Sequence, residues 1–330
     1  MCDTQYVNWL ITGGAGYIGS HVIYETLRSG RGVVVLDDLS TGIKSRLPDD
    51  IAFEEVTLTD RESVFEVFER HSISGVLHLG AKKQVAESVL RPDYYWQENV
   101  VGLQNLVDAM TENDVKNFVF SSSAAVYGSP DLPLEMQITE ITNCLPINPY
   151  GETKLEGEHI AQKCADNFGF KVAALRYFNV AGAGTPELGD QFIFNLVPIV
   201  LEALQNDQQP KVFGDDYATP DGSCIRDYVH VQDLAEAHVA AMGFVENSNA
   251  TFMPINIGTG KGSSVFEVIG KISEITGIDI HPLRVDRRKG DPAALVADVT
   301  RAQEVLNWSS KCTLDDIIKT AWEAWQTSHA

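Results

Sequence analysis

Apolar positions in the first half of the chain follow two alternating rhythms. Short runs rich in β-branched residues at 7–12, 33–37, 51–56, 76–79, 118–122 and 172–177 read as strands. Between them, 17–28, 61–70, 99–112 and 150–168 repeat apolar residues at three- and four-residue intervals and read as helices. Each helix is long enough for a right-handed crossover, so the pattern predicts an α/β chain with a doubly wound parallel sheet. After residue 177 the rhythm weakens at NVAGAGTPELGD, and VFGDDY, RDYVHVQDL and PINIGTG mix strand and helix-start signals. These signals predict one domain over 1–178 and a smaller, mixed α/β lobe over most of 179–330. The chain is expected to return to the first domain around 225–260.

Composition narrows the function classes. A chain of 330 residues that is 44% hydrophobic has enough apolar side chains for a substantial core. Its formal charge of −21 disfavours wrapping a nucleic acid or docking on an anionic membrane, although a few local arginines can still bind phosphate. The five cysteines are odd in number and show no metal-ligand spacing, which suits a reducing compartment and no structural metal. MCDTQYVNWLITGG shows no basic flank, apolar stretch and cleavage site, and no apolar run reaches the roughly 20 residues a membrane span needs. A soluble, cytoplasmic protein is expected.

Two constellations point to chemistry. In NWLITGGAGYIGSH, Gly13, Gly16 and Gly19 follow an apolar strand and open a helix. Without Cβ atoms there, the turn is tight and its N–H groups can approach a pyrophosphate at the helix N-terminus. Asp37, with Asp38, ends the next strand roughly 20 residues on, where a carboxylate reads a ribose hydroxyl and repels a 2′-phosphate. That favours NAD over NADP. The other constellation starts at Asn148-Pro149-Tyr150, a helix start with Asn148 at the N-cap. It sets Tyr150 and Lys154 one turn apart on one face. A nearby ammonium and an oxidised nicotinamide both favour phenolate; moving a phenol from about 10 to about 7 takes roughly 4 kcal/mol. Tyr150 is then a candidate general base, and Ser123, at the end of the strand in FSSSAAVYG, a candidate proton relay.

The segments TGGAGYIGSH, LDDLSTG, KKQVAES, FSSSAAVYG, NPYGETK, RYFNVAGA, FGDDYATPDGSCIRDYVHVQDLA and RRKGD occur in this order over nearly the whole chain. With them the sequence resembles the UDP-galactose (UDP-glucose) 4-epimerases of the extended short-chain dehydrogenases. The resemblance implies a Rossmann-like NAD-binding domain and a nucleotide-sugar lobe. It also implies that Tyr150 takes the proton of the sugar 4′-hydroxyl while NAD, which stays bound, removes and returns the C4 hydride. By the same resemblance, Gly13, Gly16, Tyr17, Ile18, Gly19, Asp37, Asp38, Ser40, Thr41, Leu58, Lys83, Asn99, Tyr150, Lys154 and Phe178 hold the cofactor. Asn179 and Asn195 lie near the diphosphate and sugar, Phe213 by the uracil, Arg226 and Arg288 on the phosphates, and Asp291 at the uridine ribose. A homodimer through helices near 99–112 and 150–168 is implied as well.

Three positions depart from the family pattern. Thr57-Leu58 stands where Asp-Ile engages adenine, Ala125 where some members have a threonine, and Leu295 at the position that governs room for an N-acetyl group. Three other readings bear on the same residues. A 4,6-dehydratase places acids beside the catalytic hydroxyl, whereas Ala124 and Ala125 follow Ser123. A uronate epimerase or decarboxylase needs a basic partner for the C6 carboxylate, and a dinucleotide sensor would need neither Ser123 nor Tyr150 with Lys154. Read without the resemblance, Arg226 in IRDYVHVQDL pairs with Asp227 or Asp233.

Overall fold

The apolar runs of the first half become the strands of one sheet in the computed structural model, which describes residues 8–249, 251–288 and 290–329. The expected strand start at Val7, and Cys2, lie outside the described residues. The strands are β1 (Asn8–Thr12), β2 (Gly32–Leu36), β3 (Ala52–Glu54), β4 (Ile73–His78), β5 (Asn117–Ser123) and β6 (Lys171–Tyr177). Short strands β7 (Asn179–Ala181), β8 (Lys211–Phe213) and β9 (Ile225–His230) follow, then β10 (Phe252–Ile257), β11 (Gly262–Ser264), β12 (Leu283–Val285) and β13 (Ala294–Leu295). The seven-stranded sheet has the order β10-β6-β5-β4-β1-β2-β3, with β1 paired in parallel to both β2 and β4. The direction of winding therefore reverses at β1, and in such sheets ligands bind outside the carboxyl ends at that point.

Helix ends follow local chemistry. Tyr17–Arg28 and Arg61–Arg70 form as the periodicity predicts, the latter capped by the Asp60 carboxylate accepting from the Ser63 amide. Pro149–Phe168 starts with Asn148 accepting from the Gly151 amide and stops at Gly169, which adopts φ 70°. The expected helix over 99–112 is composite: a π-helical turn at Gln97–Val101 leads into an α-helix at Gly102–Glu112. π-turns of this kind are frequent at functional sites.

Contact clustering divides the chain into two units. Of the described residues, the first unit holds 8–126, Asn148–Arg176 and Ala235–Ile255; the second holds Tyr127–Ile147, Tyr177–Leu234 and 256–329. The re-entrant stretch is secured within the first unit because Glu246 accepts from Trp9 Nε1 (2.9 Å) and from Arg31 Nη2 (2.6 Å). Helices Gly102–Glu112 and Pro149–Phe168 pack there on Phe118, Phe120 and Val172. In the second unit, β9 pairs in parallel with β13 and β7 and antiparallel with β11, while β8 pairs in parallel with β12. Its core joins Val200, Leu201, Ile269, Ile272, Ile318 and Trp325 from three helices. Tyr127–Ile147 belongs to this unit through Asn256, which accepts from Tyr127 Oη (2.6 Å) and donates to the Ile138 carbonyl (2.7 Å).

Candidate active site

In the first unit the glycine turn is sterically enforced. Gly13 has φ +69°, and a Cβ there would lie 2.7 Å from the Gly80 amide nitrogen; one on Gly19 would lie 2.2 Å from the Gly13 carbonyl. Gly16 is the extended N-cap of Tyr17–Arg28 and brings no side-chain cap, which leaves the first-turn amides facing outward. Tyr17 is buried with its ring edge-on to His21, and Ile18 is half-buried. The Asp37 carboxylate is fixed by the amides of Ala15 and Leu39, each at 2.9 Å, and burial pushes its pKa up against those bonds. A dinucleotide fits this donor set: bare amides at a helix start beside a buried, oriented carboxylate.

Around the turn the expected residues separate by exposure. Asp38, Ser40 and Thr41 lie exposed on the loop after β2, and Lys83 is exposed on the loop after β4. Leu58 is buried, lying where side chains added to Gly80 and Gly102 would touch it, while Thr57 Oγ1 bonds Thr59 Oγ1 at 3.0 Å. Asn99, in the π-turn, grips the loop after β4, accepting from the Lys82 amide (2.8 Å) and donating to the Lys82 carbonyl (2.9 Å) and Thr153 Oγ1 (3.0 Å).

Ser123 closes β5, and Tyr150 and Lys154 lie in the first turns of Pro149–Phe168. Ser123 and Tyr150 share a hydrogen bond that favours phenolate, yet burial outweighs it and raises the Tyr150 pKa. The drop expected from Lys154 and an oxidised nicotinamide acting together needs both cations; with the protein groups alone, burial sets the direction. Lys154 is itself desolvated, which lowers it to about 8, and its ammonium donates to the Ser121 carbonyl at 2.9 Å and lies 5.3 Å from the Phe120 ring. His78 stacks on the same ring, centroids 5.8 Å apart, and burial, with the Lys154 charge, lowers its pKa to about 3 and keeps it neutral. One turn beyond Lys154, Glu158 accepts from Ser122 Oγ at 2.5 Å and from Arg176 Nη2 at 2.6 Å, both partners of the ion pair being buried. Ser122, Glu158 and Arg176 escape motif reading, although the four-residue step from Lys154 to Glu158 is visible in the sequence.

In the second unit β9 gathers the expected anion ligands. Arg226 pairs in register with Leu295, and its Nη2 meets Asp291 Oδ1 at 2.5 Å. Asp227 and Asp233 are not its partners. Asp227 accepts amides from Thr259, Gly260 and Ala297, and Asp233 accepts those of Lys311 and Cys312, so both carboxylates are committed to backbone. Arg288 lies exposed over the Phe213 ring at 3.9 Å, and the adjacent Arg287 lies over Tyr217 at 4.1 Å while bonding Asp216. Asn179 stands opposite Tyr228 in the β7–β9 pair. Asn195 precedes Leu196–Gln205 but donates weakly to Asp190 (3.4 Å) instead of capping that helix. The structure thus brings together Phe213 with Arg288, and Arg226 with Asp291 and Leu295. Phe178 is buried at the start of this unit, its amide bonded to the Ile257 carbonyl.

The NAD dependent epimerase/dehydratase family model matches residues 9–258. The chain belongs to that family. Within it, the chain is 42% identical over 325 residues to the UDP-glucose 4-epimerase of Halalkalibacterium halodurans, covering 97% of this chain and 96% of that protein. A UDP-glucose-4-epimerase from Stenotrophomonas maltophila, crystallised with NAD and formylated UDP-arabinopyranose, matches with TM-score 0.93 at 36% identity. That match covers 98% of this chain and 99% of the other. The UDP-Glc/GlcNAc 4-epimerase from Campylobacter jejuni matches with TM-score 0.86 at 36% identity over 97% and 99% of the two chains. Membership makes NAD the cofactor. Lys82, within KKQVAES, is not singled out by motif reading, which points to Lys83; its ammonium bonds Ser40 Oγ at 2.6 Å.

Proposed function

We propose that the chain inverts a UDP-hexose at C4, interconverting UDP-galactose and UDP-glucose. The observation that carries this reading is the Ser123–Tyr150–Lys154 group at the end of β5, in a family member whose relatives over the full chain are UDP-glucose 4-epimerases. NAD, when bound, supplies a hydride acceptor and donor at C4 and a positive ring beside the base. Gly13, Gly16 and Asp37 hold it, with Asn99 fixing the loop after β4.

Tyr150 takes the proton of the C4 hydroxyl as the carbinol becomes a ketone, and gives it back when the ketone is reduced from its other face. Ser123, bonded to Tyr150, passes that proton and hydrogen-bonds the sugar oxygen. Lys154 keeps a cation within the buried site, so the charge on Tyr150 is never left unpaired. Ala124 and Ala125 beside Ser123 offer no acid to drive elimination, which favours inversion over dehydration. Arg226 and Arg288 take the diphosphate, Phe213 the base and Asp291 the ribose, with Asn179 and Asn195 near the diphosphate and sugar. The guanidinium forks suit phosphate oxygens in a chain whose net charge repels anions at range.

The reading extends to a homodimer, supported by family resemblance, and to a cytoplasmic setting, supported by the absence of a disulfide among Cys144, Cys164, Cys224 and Cys312. Among the described residues no helix is long and apolar enough to cross a membrane. An equilibrium assay of the NAD-loaded protein with UDP-glucose, UDP-galactose and their N-acetyl forms, read by product identity, tests the function. C4 inversion of a UDP-hexose is expected, and its absence with all four substrates overturns the reading. Light scattering tests the dimer.

A further inference from the structure

Two loops rise on either side of the glycine turn. Because β1 lies between β4 and β2 in the sheet, the loop leaving β2 and the loop leaving β4 flank the end of β1. Both touch the turn. The Gly13 amide donates to the Leu36 carbonyl and the Ile43 amide to the Ala15 carbonyl, while the Gly80 backbone closes on Gly13. One side chain joins the two loops: Lys82, after β4, reaches Ser40 Oγ, after β2, at 2.6 Å, and its ammonium lies 3.7 Å from Asp38 and 3.7 Å from Glu98. Its backbone cannot drift, because Asn99 holds both its amide and its carbonyl.

We propose that Lys82 is a cofactor-retaining strap, closing over the glycine cradle and placing its ammonium on the pyrophosphate of a bound dinucleotide. The inference rests on the reading of the first unit as an NAD site. Three features favour a ligand role over a surface ion pair. The side chain spans two loops, and only 14% of it is exposed. An ammonium has three donors and no fixed fork, so it can keep Ser40 and turn another N–H to a phosphate oxygen. Asp38 and Glu98 flank the ammonium, so Lys82 is a cation set between two carboxylates, and a bound pyrophosphate would give it a further anion to pair with. A cofactor that ends each catalytic cycle in its starting redox state has no reason to leave, and a strap suits such a cofactor.

The test measures loss of NAD, not turnover. NAD-loaded full-length protein is diluted into an NAD-trapping system, and the cofactor still bound is quantified over time after denaturation. Lys82→Gln is expected to release NAD about tenfold faster than the unmodified chain, with Lys82→Arg restoring most of the retention. Glu98→Gln, which removes one carboxylate competing for the ammonium, is expected to slow release about two- to threefold, opposite to the effect of a lost structural contact. The strap is overturned if Lys82→Gln releases NAD at the unmodified rate. Should Lys82→Gln not fold, it is overturned if Glu98→Gln leaves release unchanged or makes it faster. Retention is read without a sugar substrate, so a chain that fails to invert any UDP-hexose can still support the strap, and a failed strap leaves the inversion assay standing.

Discussion

Lys154 and Arg288 are both cations assigned to the same reaction, yet their settings are opposite. Lys154 is 4% exposed, one turn into a helix packed on the parallel sheet, where desolvation lowers its pKa to about 8. Arg288 lies exposed on a loop, spread over the Phe213 ring. Proton chemistry needs a charge whose cost changes with its surroundings, and a lysine in a low-dielectric site provides one. The sugar-nucleotide diphosphate proposed for the second unit suits a charge that never titrates and a planar fork, which arginine provides at the surface. In the proposed reaction the lysine of the first unit is thus tunable and the arginine of the second permanent.

The contrast is broken most severely at Tyr150. Tyr150→Phe should lower kcat by at least ~10³-fold while NAD content stays unchanged, measured by steady-state turnover and cofactor release on denaturation. Loss of bound NAD in this variant would place Tyr150 in the cradle and not in the chemistry.

Next in size is the titration of Lys154. Its folded pKa lies below its ordinary 10.5, so the folded chain holds fewer protons than the unfolded chain between about 8 and 10.5. Stability from this group is present above 10.5 and is lost as pH falls through 8, a difference of about 3 kcal/mol. Lys154→Met should remove that dependence from denaturant midpoints measured across pH 7–10.

A smaller effect is expected in the second unit. Arg226→Gln removes the partner of Asp291 and a phosphate fork, and should raise the KM for a UDP-hexose ~10- to 100-fold with kcat largely kept. A fall in kcat with KM unchanged would assign Arg226 to chemistry. Smallest is Arg288→Lys, which keeps charge but loses the planar stack on Phe213; KM should rise about two- to fivefold.

Legibility in the sequence follows the same division. The helices at 17–28 and 61–70 and the first six strands announce themselves because a doubly wound sheet repeats one short pattern, and Asn148 marks the start of the helix that carries Tyr150. Gly13, Asp37, Ser123, Tyr150 and Lys154 stand at fixed places in that pattern. Residues 127–147 have no such rhythm, and nothing local places them in the second unit; the Tyr127–Asn256 bond that does so spans 129 positions. Asp291 as the partner of Arg226 was equally hidden, because Asp227, next in sequence, spends its oxygens on the amides of Thr259 and Gly260 before β11 and Ala297 after β13. Lys82 was passed over because its contacts with Ser40 and Asp38 arise only once β1 separates their strands. The π-turn at Gln97–Val101 was read as plain helix, since one inserted residue barely disturbs apolar spacing.

The tie of Glu246 to Trp9 and Arg31 bears on how the chain is made. A ribosome has synthesised about three quarters of the protein before Ala235–Ile255 can complete the first unit. Until then β6 is an open edge without β10, and Arg31 lacks its carboxylate. During translation, the nascent first unit waits on a segment that emerges after the second unit's first elements.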